Sequence, residues 1–129
     1  MILETSFVVD FLQGDKDAIS KMQSLVDQNI PYEIASPTIF ELLGGLVNLE
    51  KPEKEQQRII ALMEGIVVYP LDEESAKIAG NIDGQLVKKG LQINTEDSMI
   101  AGIAITNNKK VLTRDDHFSR IEGLKVEEY

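Results

Sequence analysis

Cysteine and tryptophan are absent from the 129 residues, and histidine occurs once. Without cysteine there is no disulfide framework, no thiolate nucleophile and no thiolate zinc site. Chemistry therefore has to come from oxygen ligands or hydroxyls. Three Tyr and four Phe are too few to suggest a stacking platform for single-stranded bases. Long apolar runs are missing as well: Ile59 to Met63 stops at Glu64-Gly65, far short of the roughly 20 residues of a membrane helix. The start, Met1-Ile2-Leu3-Glu4, lacks the basic flank and apolar stretch of a secretory signal, so a soluble, cytoplasmic protein is expected. Positive charge is scarce. Thirteen Lys and Arg against 22 Asp and Glu give a net charge of -9, which argues against a broad basic face laid along a nucleic acid. An acidic total still suits phosphate chemistry if the carboxylates hold cations.

What is present is an ordinary globular balance, 43% hydrophobic and 27% charged, with room for one domain spanning residues 1–129. Met1 to Leu3 reads as a strand, and Phe7, Val8, Phe11 and Leu12 keep helical spacing up to a stop at Gly14. Asp15 caps a second helix with Ile19, Met22, Leu25 and Val26 on one face. Pro31 to Ala35 is a strand, Ser36 before Pro37 is an N-cap, and the helix it opens runs through Leu46. Pro52 opens the next helix, Glu53 to Met63, which Gly65 closes before the strand Ile66 to Tyr69. Asp72 and Ser75 begin a long helix ending at Lys88-Lys89-Gly90, and another runs from Thr95 to Asn107-Asn108. Lys110 to Thr113 and Leu124 to Val126 are the last strands. Strands separated by helices predict an α/β fold: a mostly parallel sheet of about five strands, covered on both faces, with ligands beyond the carboxyl ends of the strands.

Carboxylates occur at those ends. Glu4 follows the first strand, Glu41 sits in the helix after the second, and Asp115-Asp116 follow the fourth. Asp97 lies beside Glu96 in the first turn of its helix. Acids in a first turn also favour the helix dipole, so Asp97 and Asp115 taken singly read as caps more readily than as ligands. Glu41 is more informative, because it lies between Ile39-Phe40 and Leu42-Leu43, where a carboxylate is rarely kept without a partner. Carboxylates gathered from separate segments repel unless a cation compensates, and oxygen ligation points to Mg or Mn. Such an ion activates water for attack on phosphorus. Arg114, His117, Arg120, Lys109 and Lys110 cluster around the last of these segments as candidate phosphate contacts. As a surface patch they would serve only solubility.

Four segments together resemble the PIN-domain ribonucleases, specifically the VapC-type toxins of prokaryotic toxin-antitoxin pairs. They are Ile2 to Asp10, Ala35 to Leu42, Asp97 to Ala101 and Leu112 to Phe118, in that order at strand-helix junctions. The resemblance implies a three-layer PIN-like fold and catalytic, metal-binding roles for Glu4, Glu41, Asp97 and Asp115. It implies auxiliary roles for Asp116, Thr5, Ser6 and Thr113, and of the basic cluster Arg114 and His117 are then the expected RNA contacts. It further implies Mg2+ or Mn2+ as cofactor, an RNA substrate, a homodimer and a cognate antitoxin. One position departs: the family usually has aspartate where this chain has Glu4, and the added methylene extends the reach by roughly 1.5 Å.

That departure supports a second reading, a weakened or inactive PIN-like protein that keeps its antitoxin surface. A receiver-type phosphoryl-transfer domain is a third, but Val68-Tyr69-Pro70 ends the third strand without the aspartate such a domain needs as acceptor. Phe7, Phe11, Leu12, Phe40, Leu43 and Leu46 exceed what one face of each short helix requires; they are assigned mainly to the core, with an apolar surface for a partner as the alternative.

Overall fold

Consecutive residues of a strand face opposite sides of a sheet, so a strand buried on both faces reads as an unbroken apolar pair or triplet. In the computed structural model, which describes residues 1–129, five short strands form one parallel sheet, and its inner strands are the ones buried on both faces, while the edge strands are partly exposed. They are β1 (Ile2–Leu3), β2 (Glu33–Ala35), β3 (Val67–Tyr69), β4 (Lys110–Leu112) and β5 (Lys125–Glu127). Six helices cover them: α1 (Thr5–Leu12), α2 (Lys16–Asp27), α3 (Ser36–Gly44), α4 (Pro52–Met63), α5 (Glu73–Lys88) and α6 (Thr95–Thr106). Ile2, Ala35 and Val111 pack on one side of the sheet with Leu86, Ile100, Ile103 and Phe118. Their neighbours Leu3, Ile34 and Leu112 pack on the other side with Phe7, Leu25 and Ile59. This is the α/β/α sandwich expected from the sequence. No helix is long and apolar enough to cross a membrane.

The sheet order is β3-β2-β1-β4-β5. The chain builds outward from β1 on one side, then crosses over to build β4 and β5 on the other. Such a reversal leaves a crevice at the carboxyl ends of the two strands where it occurs, here β1 and β4. Leu3 is in register with Leu112, so Glu4 and Thr113 leave the sheet side by side.

Local signals set the helix ends. Asp15 accepts a 2.9 Å bond from Ala18 N at the start of α2. Asp72 and Ser75 form a reciprocal capping box on α5, with Ser75 N to Asp72 Oδ1 and Asp72 N to Ser75 Oγ both 2.9 Å. The backbone N–H of Ser75, then its hydroxyl, holds the Asp72 carboxyl below the usual carboxylate range. A carboxyl lowered on folding contributes stability above its unfolded pKa and loses it as pH falls through its folded pKa. Asp72→Ala is therefore expected to lower the thermal midpoint at pH 7. The deficit should shrink on acidification below the ordinary aspartate value of 3.8 in paired melting curves.

Several expectations are corrected. Ser36 does not cap α3: Ala35 holds the cap position without a side-chain bond, and Ser36 Oγ instead accepts from Leu71 N at 3.1 Å. That helix ends at Gly44 and tightens into a 3-10 turn, Gly45–Asn48. On α2 the buried face is Ala18, Met22 and Leu25, while Ile19 and Val26 are 46% and 50% exposed. Phe40, 69% exposed, and Leu43 belong to the surface rather than the core.

Helix α6 is buried on nearly every side, with Asp97, Ser98, Ile100, Ala101, Gly102, Ile103 and Ala104 all inaccessible. A helix wrapped on all faces needs no apolar stripe, and its contact with α5 closes around Gly102. This packing fixes where the first turn of α6, and with it Asp97, meets the strand ends.

Candidate metal centre

Glu4 is the N-cap of α1. Its Oε1 accepts from Ser6 N at 3.0 Å, and its Oε2 accepts from the Ser6 hydroxyl and from Thr113 Oγ1, the latter at 3.1 Å. Thr113 Oγ1 also accepts from Asp115 N at 3.0 Å, so one buried hydroxyl orients both strand-end acids. Asp115 caps the 3-10 turn Asp116–Arg120 by accepting from His117 N at 2.9 Å. Across the crevice, Thr5 Oγ1 donates to Glu41 Oε1 at 2.7 Å and lies 3.2 Å from Thr38 Oγ1. The hydroxyls of Thr5, Ser6 and Thr113 therefore all support carboxylates.

Asp97 is 5% exposed. Burial raises its pKa from 3.8 to about 7, reinforced by the charges of Glu4, Glu41, Asp115 and Glu96. An acid in the first turn of a helix would ordinarily be helped to ionise by the helix dipole, so burial and repulsion outweigh the dipole here. Burial also raises Glu41; the Thr5 bond opposes this, and Glu4 and Glu96 add to it. Carboxylate oxygens of Asp97 and Asp115 and a ring nitrogen of His117 lie within 4.8 Å of one another. Three such donors gathered together are a group that could hold a metal ion. His117 Nδ1, a buried ring nitrogen with no hydrogen-bond partner, lies 3.1 Å from Asp115 Oδ1.

Asp116 is exposed, and only its backbone oxygen is engaged, by Ser119 Oγ at 2.6 Å. Each Lys and Arg of the basic cluster has a protein partner. Lys109 pairs with the buried Glu33 at 2.8 Å, Lys110 with Glu127 at 3.6 Å, and Arg120 reaches Leu91 O at 3.4 Å. Arg114 is held by Asp15 at 2.9 Å and Asp10 at 3.4 Å, and its guanidinium lies 4.3 Å above the Tyr129 ring. Tyr129 OH in turn donates to Asp10 Oδ2 at 2.6 Å. Arg114 therefore ties the last site loop to α1 and the chain end. The supporting parts not anticipated from sequence are Thr38, Asp10 and Tyr129, which carry no local signal because they act only through contacts distant in the chain.

Beside the carboxylates a groove of about 410 Å³ runs between α1, α3 and α4. Its lining combines the apolar Val9, Leu12, Leu42, Leu46 and Ile59 with the polar Thr5, Glu41, Glu55 and Arg58.

Comparison with known proteins places these features in context. The PIN domain family matches residues 1–124. The chain is 31% identical over 102 residues to ribonuclease VapC3 of Methanocaldococcus jannaschii, covering 79% of this chain and 95% of that protein. It is 30% identical over 97 residues to the tRNA(fMet)-specific endonuclease VapC of Salmonella typhimurium, covering 74% of each. Among solved structures, a chain of the DNA-bound VapBC complex from Salmonella typhimurium superposes with a TM-score of 0.87 at 25% identity, over 98% of this chain and 96% of that one. Sequence, sheet order and strand-end acids agree: the chain belongs to the PIN-domain family and is similar throughout its length to VapC proteins.

Proposed function

We propose that this chain is a divalent-metal-dependent ribonuclease of the VapC type, a toxin that hydrolyses RNA phosphodiester bonds and is held in check by a cognate antitoxin. The observation that carries the reading is the meeting of Glu4, Glu41, Asp97 and Asp115, from four separate segments, at one crevice where Asp97 stays protonated up to about pH 7. Asp97 and Asp115 would hold Mg2+ or Mn2+, with Glu4 and Glu41 completing the negative field around it. When bound, the ion supplies an activated water and offsets charge on the phosphate. The protein's part is positional. Thr113 keeps Glu4 and Asp115 in fixed orientation, Thr5 holds Glu41, and Asp97 gives up its proton as the ion binds.

The relatives named ribonuclease and endonuclease support RNA as the substrate. The likeness to a chain of the VapBC complex supports a protein partner, which we take to be a cognate antitoxin, and we expect a homodimer. The groove between α1, α3 and α4, whose mostly apolar lining includes Glu41, is the surface we assign to the antitoxin. A cytoplasmic location accords with this role.

A specific observation favours the second reading, a weakened nuclease. Both carboxylate oxygens of Glu4 already accept bonds from Ser6 or Thr113, so the longer side chain is folded back as a cap. The test is cleavage of mixed single-stranded RNA by antitoxin-free protein with Mn2+, with Mg2+ and with chelator. Metal-dependent cleavage that chelator abolishes is expected. An inert natural chain whose Glu4→Asp variant cuts would establish the second reading.

A further inference from the structure

The ring of His117 is half exposed, yet its Nδ1 is buried and makes no hydrogen bond. That atom lies 3.1 Å from Asp115 Oδ1, too poorly aligned to share a proton with it. Neither form of the imidazole is satisfied by this contact. A protonated Nδ1 would be a buried donor without an acceptor, and a bare Nδ1 would set its lone pair against a carboxylate oxygen. Asp115 Oδ1 is also held by its own bond from His117 N, so it does not turn away. A cation placed between the ring nitrogen and the two aspartates removes the conflict.

Building on the nuclease reading above, we propose that His117 ligates the divalent ion through Nδ1, together with Asp97 and Asp115, and biases the site toward Mn2+ over Mg2+. Ions of this class bind oxygen at roughly 2.1 Å, so neighbouring donors around an octahedron stand about 3.0 Å apart. The 3.1 Å spacing of Nδ1 and Asp115 Oδ1 is that of two adjacent ligands. Asp97 belongs to the same group, whose ligand atoms all lie within 4.8 Å of one another, close to the roughly 4.2 Å that separates opposite donors of such a polyhedron. Mg2+ strongly prefers oxygen, whereas imidazole is a good ligand for first-row transition ions. One nitrogen in an otherwise carboxylate set therefore costs Mg2+ more than Mn2+. The assignment also replaces an RNA contact by a ligand role for His117, and the half-exposed ring edge stays free for solvent.

The experiment uses the full-length chain with Mn2+ as probe, with no cleavage assay. Pulsed electron paramagnetic resonance of a stoichiometric Mn2+ complex should show 14N modulation from a directly bound imidazole, and His117→Ala should abolish it. Competition titrations should show the Mn2+ to Mg2+ affinity ratio falling by about tenfold or more in His117→Ala. His117→Asp, which restores an oxygen donor, should keep metal binding while shifting preference toward Mg2+. Bound Mn2+ without nitrogen coupling, or an unchanged ratio in both variants, would overturn the assignment and leave the carboxylate site intact. Mn2+ binding unaffected by Asp97→Asn would instead overturn the location of the metal site, and the His117 role with it.

Discussion

Asp97→Asn is expected to stabilise the metal-free chain while reducing metal-dependent RNA cleavage by on the order of a hundredfold or more. Opposite signs arise because the same carboxyl is costly when empty and needed when filled. Buried, and facing Glu4, Glu41, Asp115 and Glu96, it has a native pKa of about 7. The folded chain therefore keeps a proton that the unfolded chain releases at the ordinary aspartate value of 3.8. A carboxyl raised on folding contributes most to stability below its unfolded pKa, and that contribution is lost as pH rises through its folded pKa. A shift of this size corresponds to on the order of a few kcal/mol. The metal-free natural chain should thus melt at a lower temperature at pH 8 than at pH 5, and Mn2+ should restore the difference at pH 8. In Asp97→Asn the decline between these pH values should flatten and the Mn2+ response should vanish. A variant that melts with the same pH slope and the same metal response as the natural chain would remove Asp97 from the site.

Gly102→Ala is expected to destabilise the fold by about 2–4 kcal/mol, at or above the upper end of ordinary overpacking. A Cβ at position 102 would stand 2.5 Å from Ser75 O and 2.9 Å from both Ala79 N and Ala79 Cβ. Two of those atoms are backbone, so no side-chain rotation relieves the clash and α5 and α6 must separate. Because α6 carries Asp97, the separation also displaces the site, and an error of about 1 Å in a positioned group can cost on the order of a hundredfold in rate. Gly84→Ala on α5 is the control. Nothing lies within 4 Å of its Cβ position, and removing a helix-interior glycine there should stabilise by about 0.5–1 kcal/mol. Chemical denaturation of the two variants should give shifts of opposite sign, and equal shifts would show that Gly102 does not set the α5–α6 spacing.

The parts of the site legible in sequence were those with a local cause. Glu4, Asp97 and Asp115 each stand where an element begins or ends, and Glu41 interrupts an apolar run. The hydroxyls of Thr5, Ser6 and Thr113 were reached only through likeness to a family, since nothing in their neighbours shows that they would meet carboxylates. Arg114 has contacts that its neighbours in sequence do not announce. Next to an acidic site it reads as a phosphate contact, yet Asp10, Asp15 and Tyr129 surround it. Ser36 likewise has the residue pattern of a cap, but the unpaired N–H of Leu71 engages its hydroxyl.

By itself the sequence determined the α/β order of elements, the glycine stops at Gly14, Gly65 and Gly90 with φ of 83°, 77° and 70°, and the caps at Asp15 and Asp72, because each depends on residues within one or two turns of chain. Apolar runs in the strands likewise announced a sheet covered on both faces. Only the tertiary structure decided which carboxylates share a field, that Asp97 holds its proton to about pH 7, and that His117 turns an unpaired nitrogen toward Asp115. Those properties depend on burial and on distances between segments far apart in the chain, which are set when α6 packs against α5 and the strand ends of β1 and β4 come together.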